Sequence, residues 1–336
     1  MTPSAAVPVA VVTGFLGSGK TTLISRVLRD RAFARTAVIV NEFGEIGLDH
    51  ELIESSDETL IALTTGCLCC AVRSDLVATL LDLHRRREAG AIAYDRVLIE
   101  TSGLADPAPI LHALMTDRDI AHHFVIDGIV AVVDALHGAA ALDRHPEARR
   151  QAALADSLLL SKIDIAGPAT ALRERLVALN PGAAQHVAGD VAPGLLFAGT
   201  DVAARFATLP AAPVSNPFDR AQHSDGIETF VVQRDRPVPA LALTLLLEAL
   251  AEHCGARLLR LKGLVHIEEM PEQPAVIHGV QHVFSPPEFL DQWPSADHTT
   301  RLVFITQGVP RHFPARLLDA IEHEVRDAME DQASLR

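Results

Sequence analysis

The chemistry of this chain is foreshadowed near its start, where Gly14-Phe15-Leu16-Gly17-Ser18-Gly19-Lys20-Thr21 follows the spacing GxxxxGK(S/T). Glycines so placed let successive backbone N–H groups curl around an anionic oxygen, and a helix starting at the lysine adds the positive end of its dipole. Lys20 can reach the outer oxygens of a polyphosphate, and the Thr21 hydroxyl can ligate Mg²⁺. An apolar run precedes the motif and a helical pattern follows it, which is the context the motif requires. Gly14, Gly17, Ser18, Gly19, Lys20, Thr21 and Thr22 are therefore the candidate phosphate site.

Two later segments extend that site. Glu100-Thr101-Ser102-Gly103-Leu104-Ala105-Asp106-Pro107 ends an apolar run with an acid and sets a glycine three positions on. A carboxylate there suits a Mg²⁺-bound water, and the Gly103 N–H suits a contact to a terminal phosphate that is lost when the phosphate leaves. A plain surface acid at a strand end is the alternative reading. Lys20, Glu100 and Gly103 are thus the candidates for assisting hydrolysis. Ser161-Lys162-Ile163-Asp164 follows the run SLLL and has the (N/T/S)KxD form of a guanine-reading loop. An aspartate there accepts from both N1–H and N2–H₂ of guanine, which adenine cannot supply, while the lysine stem lies along the base. Ser161, Lys162 and Asp164 make guanine the expected base. An ATPase or a small-molecule kinase would require Asp164 to play no such part.

Gly66-Cys67-Leu68-Cys69-Cys70 gathers three of the four cysteines, Cys254 being the other. Adjacent cysteines cannot easily form an unstrained bridge, so the cluster reads as metal-binding or redox-active. Thiols just before a helix, here expected to begin near Arg73, have lowered pKa values, and three thiolates with one N or O ligand make a tetrahedral Zn²⁺ set that Co²⁺ also adopts. A fourth ligand must come from another segment or from water, and NEFGEIGLDH is the candidate segment, with Glu42 the first choice and Glu45 or His50 in reserve. Cys67, Cys69, Cys70 and Glu42 are the candidate cargo-metal residues, as Thr21 and Glu100 are for magnesium.

The elements that must position these residues are legible as alternation. Short Val- and Ile-rich runs at 7–13, 36–41, 96–101, 128–134 and 157–162 are separated by helical patterns at 20–31, 73–87, 107–115 and 168–179. Near-continuous apolar strands between helices predict an α/β fold, a parallel sheet covered on both faces. A stretch dense in Pro, Ser, Asn and Asp at 209–226 reads as a linker. The organisation expected is a nucleotide domain over 1–208, the linker, and a smaller α+β domain over 227–330, built from the strand ETFVVQR, an apolar helix, an extended pair, the strand TRLVFITQ and a last helix.

Composition narrows the partners. The 336 residues are 49% hydrophobic, ample for two cores. Arginine and lysine number 29 against 43 acids, a formal charge of −14, which repels a nucleic-acid backbone. The opening MTPSAAVPVAVVTGF has no basic segment and its apolar run is short, so neither a secretory signal nor a membrane span is expected, and the cytoplasm is the expected compartment.

Read in order, GFLGSGKTT, NEFGEIGLD, GCLCC, ETSGLADP and DGIVAVVDA resemble the CobW-like family of P-loop GTPases, which includes GTP-dependent zinc metallochaperones and cobalamin-synthesis proteins; ETFVV and TRLVFITQG extend the resemblance into the second domain. The resemblance implies a P-loop NTPase fold, binding of GTP with Mg²⁺ through Gly17, Lys20 and Thr21, and placement of Glu42 and Glu100 near metal or magnesium. It also implies a cargo ion on Cys67, Cys69 and Cys70 that hydrolysis loosens for a client metalloprotein. A homodimer is left open. The sequence departs from the pattern in having Ser161 where Asn is commoner and in lacking a His-rich stretch, which leaves cobalt specificity unsupported. The expectation is a GTP-hydrolysing metallochaperone for zinc or cobalt; the alternative is a GTP-binding metal or redox sensor, or scaffold, with little turnover.

Overall fold

The computed structural model describes residues 6–41, 60–62, 69–190, 194 and 226–334. The chain divides into two compact units, the second taking up Val177–Gly182 together with the elements from Ile227 onward.

The first unit is a seven-stranded sheet built from β1 (Val7–Thr13), β2 (Thr36–Asn41), β3 (Leu60–Ala62), β4 (Arg96–Thr101), β5 (Phe124–Asp134), β6 (Ser157–Ser161) and β7 (Ala184–Val187), in the order β3-β2-β4-β1-β5-β6-β7. Every pairing is parallel. The crossovers are carried by α1 (Lys20–Leu28), α2 (Cys69–Glu88), α3 (Ala108–Thr116), α4 (Arg118–His123), α5 (Gly138–Arg144), α6 (Pro146–Leu154), α7 (Ile163–Ala166) and α8 (Thr170–Leu179). Ala10, Val12, Leu98, Val130 and Val132 share one core with Leu23, Ile24 and Val27 of α1. The alternate residues Val9, Val11, Val97, Ile99 and Ile129 are equally buried, so both faces are covered, and this double burial is why the strands read as unbroken apolar runs.

The second unit contains β8 (Ile227–Arg234), α9 (Ala240–Cys254), β9 (Leu258–Ile267), β10 (Met270–Val280), β11 (Val283–Phe284), β12 (Glu288–Phe289), β13 (Thr300–Gln307) and α10 (His312–Ser334). Its antiparallel sheet runs β11-β10-β9-β13-β8, with β12 against β10. Phe230, Leu261, Val265 and Phe304 of the sheet join Leu243, Leu246 and Leu250 of α9 and Leu318 and Val325 of α10 in one core. Cys254 lies in that core, and burial raises its thiol above the ordinary range. The last helix is not wholly solvated on its acidic side: Glu322 stands 3.7 Å from Arg234 at 16% side-chain exposure, and burial pushes its carboxyl up.

The five expected strands of the first unit occupy their expected places, with β5 starting earlier, at Phe124. Helix α2 begins at Cys69 rather than near Arg73, because nothing between Cys69 and Val72 opposes helix. Three-residue β3 and the short helices α4 to α6 carried too little periodicity to be foreseen; α4 is fixed instead by its cap, where the Asp117 carboxylate accepts from the N–H of Asp119 and Ile120. Apart from Gly226, the expected linker at 209–226 lies outside the described residues. Among the described residues no helix is long and apolar enough to cross a membrane.

Helices α2 and α4 meet through imidazoles. The His84 and His123 rings stack at 3.7 Å and 18°, and His122 meets His123 edge-on at 5.5 Å. Burial first, then the proximity of His123, holds His84 below its ordinary pKa. The unfolded chain therefore takes up this proton at a higher pH than the folded one, and stability is lost as pH falls from about 6.5 towards the folded value. Thermal melts at about pH 7.5 and about pH 5.5 should show a smaller acid-induced drop in His84→Phe, which keeps the stack without the proton. An equal drop in both proteins would refute the assignment.

Candidate functional site

The C-terminal ends of β1, β4, β5 and β6 converge, and the loops leaving them build the site. Leaving β1, the chain turns at Gly14, whose φ of +141° belongs to glycine; a Cβ there would stand 2.4 Å from the Val132 carbonyl oxygen on β5. Gly17, Ser18 and Gly19 complete the turn into α1. Lys20 is buried, and its ammonium donates to the carbonyls of Gly14 at 3.0 Å and Phe15 at 3.4 Å. Thr22 is exposed on the first turn of α1.

Neighbouring strands bring the second motif alongside. In register, Glu100 of β4 lies opposite Val12 of β1, two residues before the phosphate-loop turn at Gly14. Glu100 is 1% exposed and its Oε1 accepts the Thr21 hydroxyl at 3.1 Å. Behind them the Thr101 hydroxyl donates to Thr13 at 2.8 Å. Gly103 is glycine for space: a Cβ there would stand 2.8 Å from the Leu16 backbone nitrogen and 2.9 Å from its Cα, so the two loops touch backbone to backbone.

The third motif is tied to the same loop. The Ser161 hydroxyl donates to the Ser18 carbonyl at 2.7 Å, and the Lys162 ammonium donates to the Gly17 carbonyl at 2.9 Å and to Asp134 Oδ2 at 2.7 Å. The departure from Asn at Ser161 thus still supplies a tie to the phosphate loop. Burial alone would raise the Asp134 carboxyl; the Lys162 hydrogen bond, the Leu136 N–H and the Lys162 charge outweigh it and hold Asp134 below the usual carboxylate range. Asp164 is exposed in the first turn of α7.

Sequence reasoning gave no role to several residues that hold this site. Gln151 of α6 is 1% exposed, and its side-chain amide donates to the carbonyls of Gly103 at 3.1 Å and Ala105 at 3.0 Å. Its neighbour Arg150 pairs with Asp106 at 3.1 Å, and His145, ahead of α6, stacks on Phe15 at 4.4 Å. PEARRQAAL carries no motif that could have flagged them; Asp134 had a faint signal, an acid at the C-terminal end of a strand, where doubly wound sheets bind ligands.

The metal candidates are placed only in part. Cys69 and Cys70 are the first residues of α2, while Cys67, Glu42, Glu45 and His50 lie outside the described residues. Among the described residues no group of three His, Cys, Asp or Glu could hold a metal ion. The oxygen set at the phosphate loop, the Thr21 hydroxyl beside the buried Glu100 carboxylate, fits a hard cation such as Mg²⁺.

Comparison with known proteins agrees with this geometry. Residues 8–186 match the family model described as CobW/HypB/UreG, nucleotide-binding domain, and residues 227–322 the cobalamin synthesis protein CobW C-terminal domain. The zinc chaperone YjiA of Escherichia coli is 33% identical over 306 residues, covering 90% of this chain and 95% of that protein. The zinc-regulated GTPase metalloprotein activator 1 of Schizosaccharomyces pombe is 35% identical over 166 residues, covering 47% of this chain and 39% of that one. The crystal structure of zinc-bound YjiA GTPase from E. coli superposes with a TM-score of 0.76 at 28% identity, covering 95% of this chain and 99% of that chain.

The contact of Gly103 with Leu16 makes a sharp demand. Gly103→Ala drives a Cβ into backbone and should lower stability by about 1–3 kcal/mol, as overpacking does. Urea denaturation measures it, and a variant as stable as the wild type would mean that the loops part freely.

Proposed function

Because the chain belongs to the CobW/HypB/UreG family of nucleotide-binding proteins, we propose that it is a GTP-hydrolysing metallochaperone that carries a divalent cation, zinc above all, to a client metalloprotein. The observation that carries this reading is the convergence of the phosphate, acid and (N/T/S)KxD motifs through direct hydrogen bonds, from Thr21 to Glu100, from Ser161 to Ser18 and from Lys162 to Gly17. The zinc chaperones and zinc-regulated GTPases among its relatives support the choice of cargo.

In this reading the backbone N–H groups of residues 14–21 cradle the β-phosphate and Lys20 exchanges its carbonyl partners for phosphate oxygens. Thr21 and Glu100 would hold Mg²⁺, which would supply charge neutralisation to the phosphate. Asp164 reads guanine. Water attacks the γ-phosphorus, the bond to the β–γ bridging oxygen breaks, and GDP and inorganic phosphate leave. Gly103 contacts the γ-phosphate and is released with it. The cargo ion sits on Cys67, Cys69 and Cys70 with Glu42, and Co²⁺ is accepted where it is available.

Coupling has a material route. The loop that holds Gly103 runs into α3, whose Ala108 N–H is capped by Asp106 at 2.9 Å; α3 packs on α2, and α2 begins with Cys69 and Cys70. A nucleotide shifts metal affinity only as far as it binds the two states differently.

The test is Zn²⁺ titration of the reduced protein with Mg²⁺ and either GDP or a non-hydrolysable GTP analogue. Affinity should differ about tenfold or more between the two nucleotides and should collapse in Cys69→Ser, since thermodynamic coupling of 1–3 kcal/mol is typical. Equal affinity with both nucleotides would remove the chaperone cycle.

A further inference from the structure

Asp134 lies 28 residues upstream of Lys162 and outside the guanine-reading motif, yet it touches that lysine. We propose that Asp134 is the positioning residue for base recognition: through Lys162 it holds the guanine-reading loop and the phosphate loop in one arrangement. This rests on the guanine-nucleotide reading given above and adds to it a specificity determinant outside the motif.

Register places the acid there. Asp134 ends β5 and Ser161 ends β6, and the two are paired across the parallel ladder. Asp134 splits its carboxylate between two tasks. Oδ1 accepts the Leu136 N–H at 2.8 Å, which fixes the turn leaving β5, while Oδ2 accepts the Lys162 ammonium at 2.7 Å with His137 Nδ1 at 3.4 Å. The Asp134 side chain is 10% exposed and that of Lys162 35%, so the pair is partly withdrawn from solvent, where attraction between charges exceeds that on an open surface.

Lys162 is held at both ends of its side chain's reach. Its ammonium also donates to the Gly17 carbonyl at 2.9 Å, so one cation bridges the acid of β5 and the phosphate loop. Its backbone stands at φ 59°, ψ 25°, the left-handed region that a residue with a Cβ keeps only when its surroundings impose it. That turn is the N-cap of α7, whose first turn contains Asp164. The side chain of Lys162 therefore anchors the backbone conformation that delivers the base-reading aspartate. With the Asp134 charge removed, the ammonium keeps only a neutral carbonyl as partner, and the turn loses the contact that over-determines it.

A residue that only supported the fold would weaken all nucleotides alike, whereas Asp134 acting through Lys162 must also alter the choice of base. GDP and ADP affinities are measured calorimetrically with Mg²⁺ on the full chain for wild type, Asp134→Asn, Lys162→Met and the double variant. Asparagine is chosen because its Oδ1 still accepts the Leu136 N–H. Asp134→Asn should lose about tenfold or more in GDP affinity and less in ADP affinity, and the double variant should lose no more than the worse single, because both changes break one linkage. A GDP-to-ADP ratio unchanged in Asp134→Asn, or losses that multiply in the double variant, would overturn the proposal. Should Asp134→Asn fail to fold, Asp134→Ser, whose hydroxyl can still accept the Leu136 N–H, decides by the same ratio: reduced supports the linkage and unchanged overturns it. A wild type that does not distinguish GDP from ADP would bring down the guanine reading and this inference with it; a wild-type preference retained in the variants brings down the inference alone.

Discussion

A loop that offers its N–H groups to an anion must dispose of its carbonyls elsewhere, and the first unit is organised around that constraint. Three side chains meet it. Lys162 takes Gly17 and Ser161 takes Ser18, while Lys20 takes the Gly14 carbonyl from within the motif until, in the proposed function, phosphate oxygens replace it. Peptide planarity then points the other side of each of those peptide groups away from the side chains that hold them. Two of the three donors arrive from the end of β6, two strands from β1 in the sheet, so the Gly17 and Ser18 carbonyls meet these partners only in the assembled sheet. Parallel strand order is thus a requirement of the loop's hydrogen bonding as well as of packing.

The second constraint is electrostatic. Glu100 is nearly sealed from solvent, and a carboxylate in that position is expensive unless it is hydrogen-bonded or near a cation. Thr21 supplies one hydrogen bond. In the proposed function magnesium would add positive charge beside this acid, where burial strengthens the attraction between them. The Asp134–Lys162 pair solves a similar problem internally, and its acid is held below the usual range by the partner that the phosphate loop also uses.

Much of this was legible in the sequence because the relevant signals are local. Strands buried on both faces read as apolar runs whatever their partners, and the phosphate motif fixes its own backbone through glycine. The rest depends on what assembly brings together. Gln151 sits on a helix with no motif, and its meaning lies in which carbonyls it meets, 48 and 46 residues back in the chain. Gly103 was read from the sequence as a phosphate contact; its tight packing on Leu16 explains the need for glycine without any ligand, and it could not be foreseen because the approach is between two loops. The start of α2 moved to Cys69 for the opposite reason, being so local that no residue marks it.

Where the thiols fall has a further consequence. In the sequence, Cys69 and Cys70 read as the end of a loop; in the structure they open a helix of 20 residues, with their backbone fixed by its first turn. Cys67 precedes Cys69 by two positions in the chain, so a set uniting the three would include two residues carried by α2. Such a site would respond to displacement of α2, because coordination tolerates only small changes in ligand distance. Helix α2 packs on α3, and α3 is capped by the loop that Gly103 and Gln151 hold against the phosphate site. In the proposed cycle, loss of the γ-phosphate releases the Gly103 loop, and a shift of α2 that follows would carry two of the three candidate thiols with it. Metal release in that cycle would follow from a change in ligand geometry, with no need for a thiolate to change its protonation first.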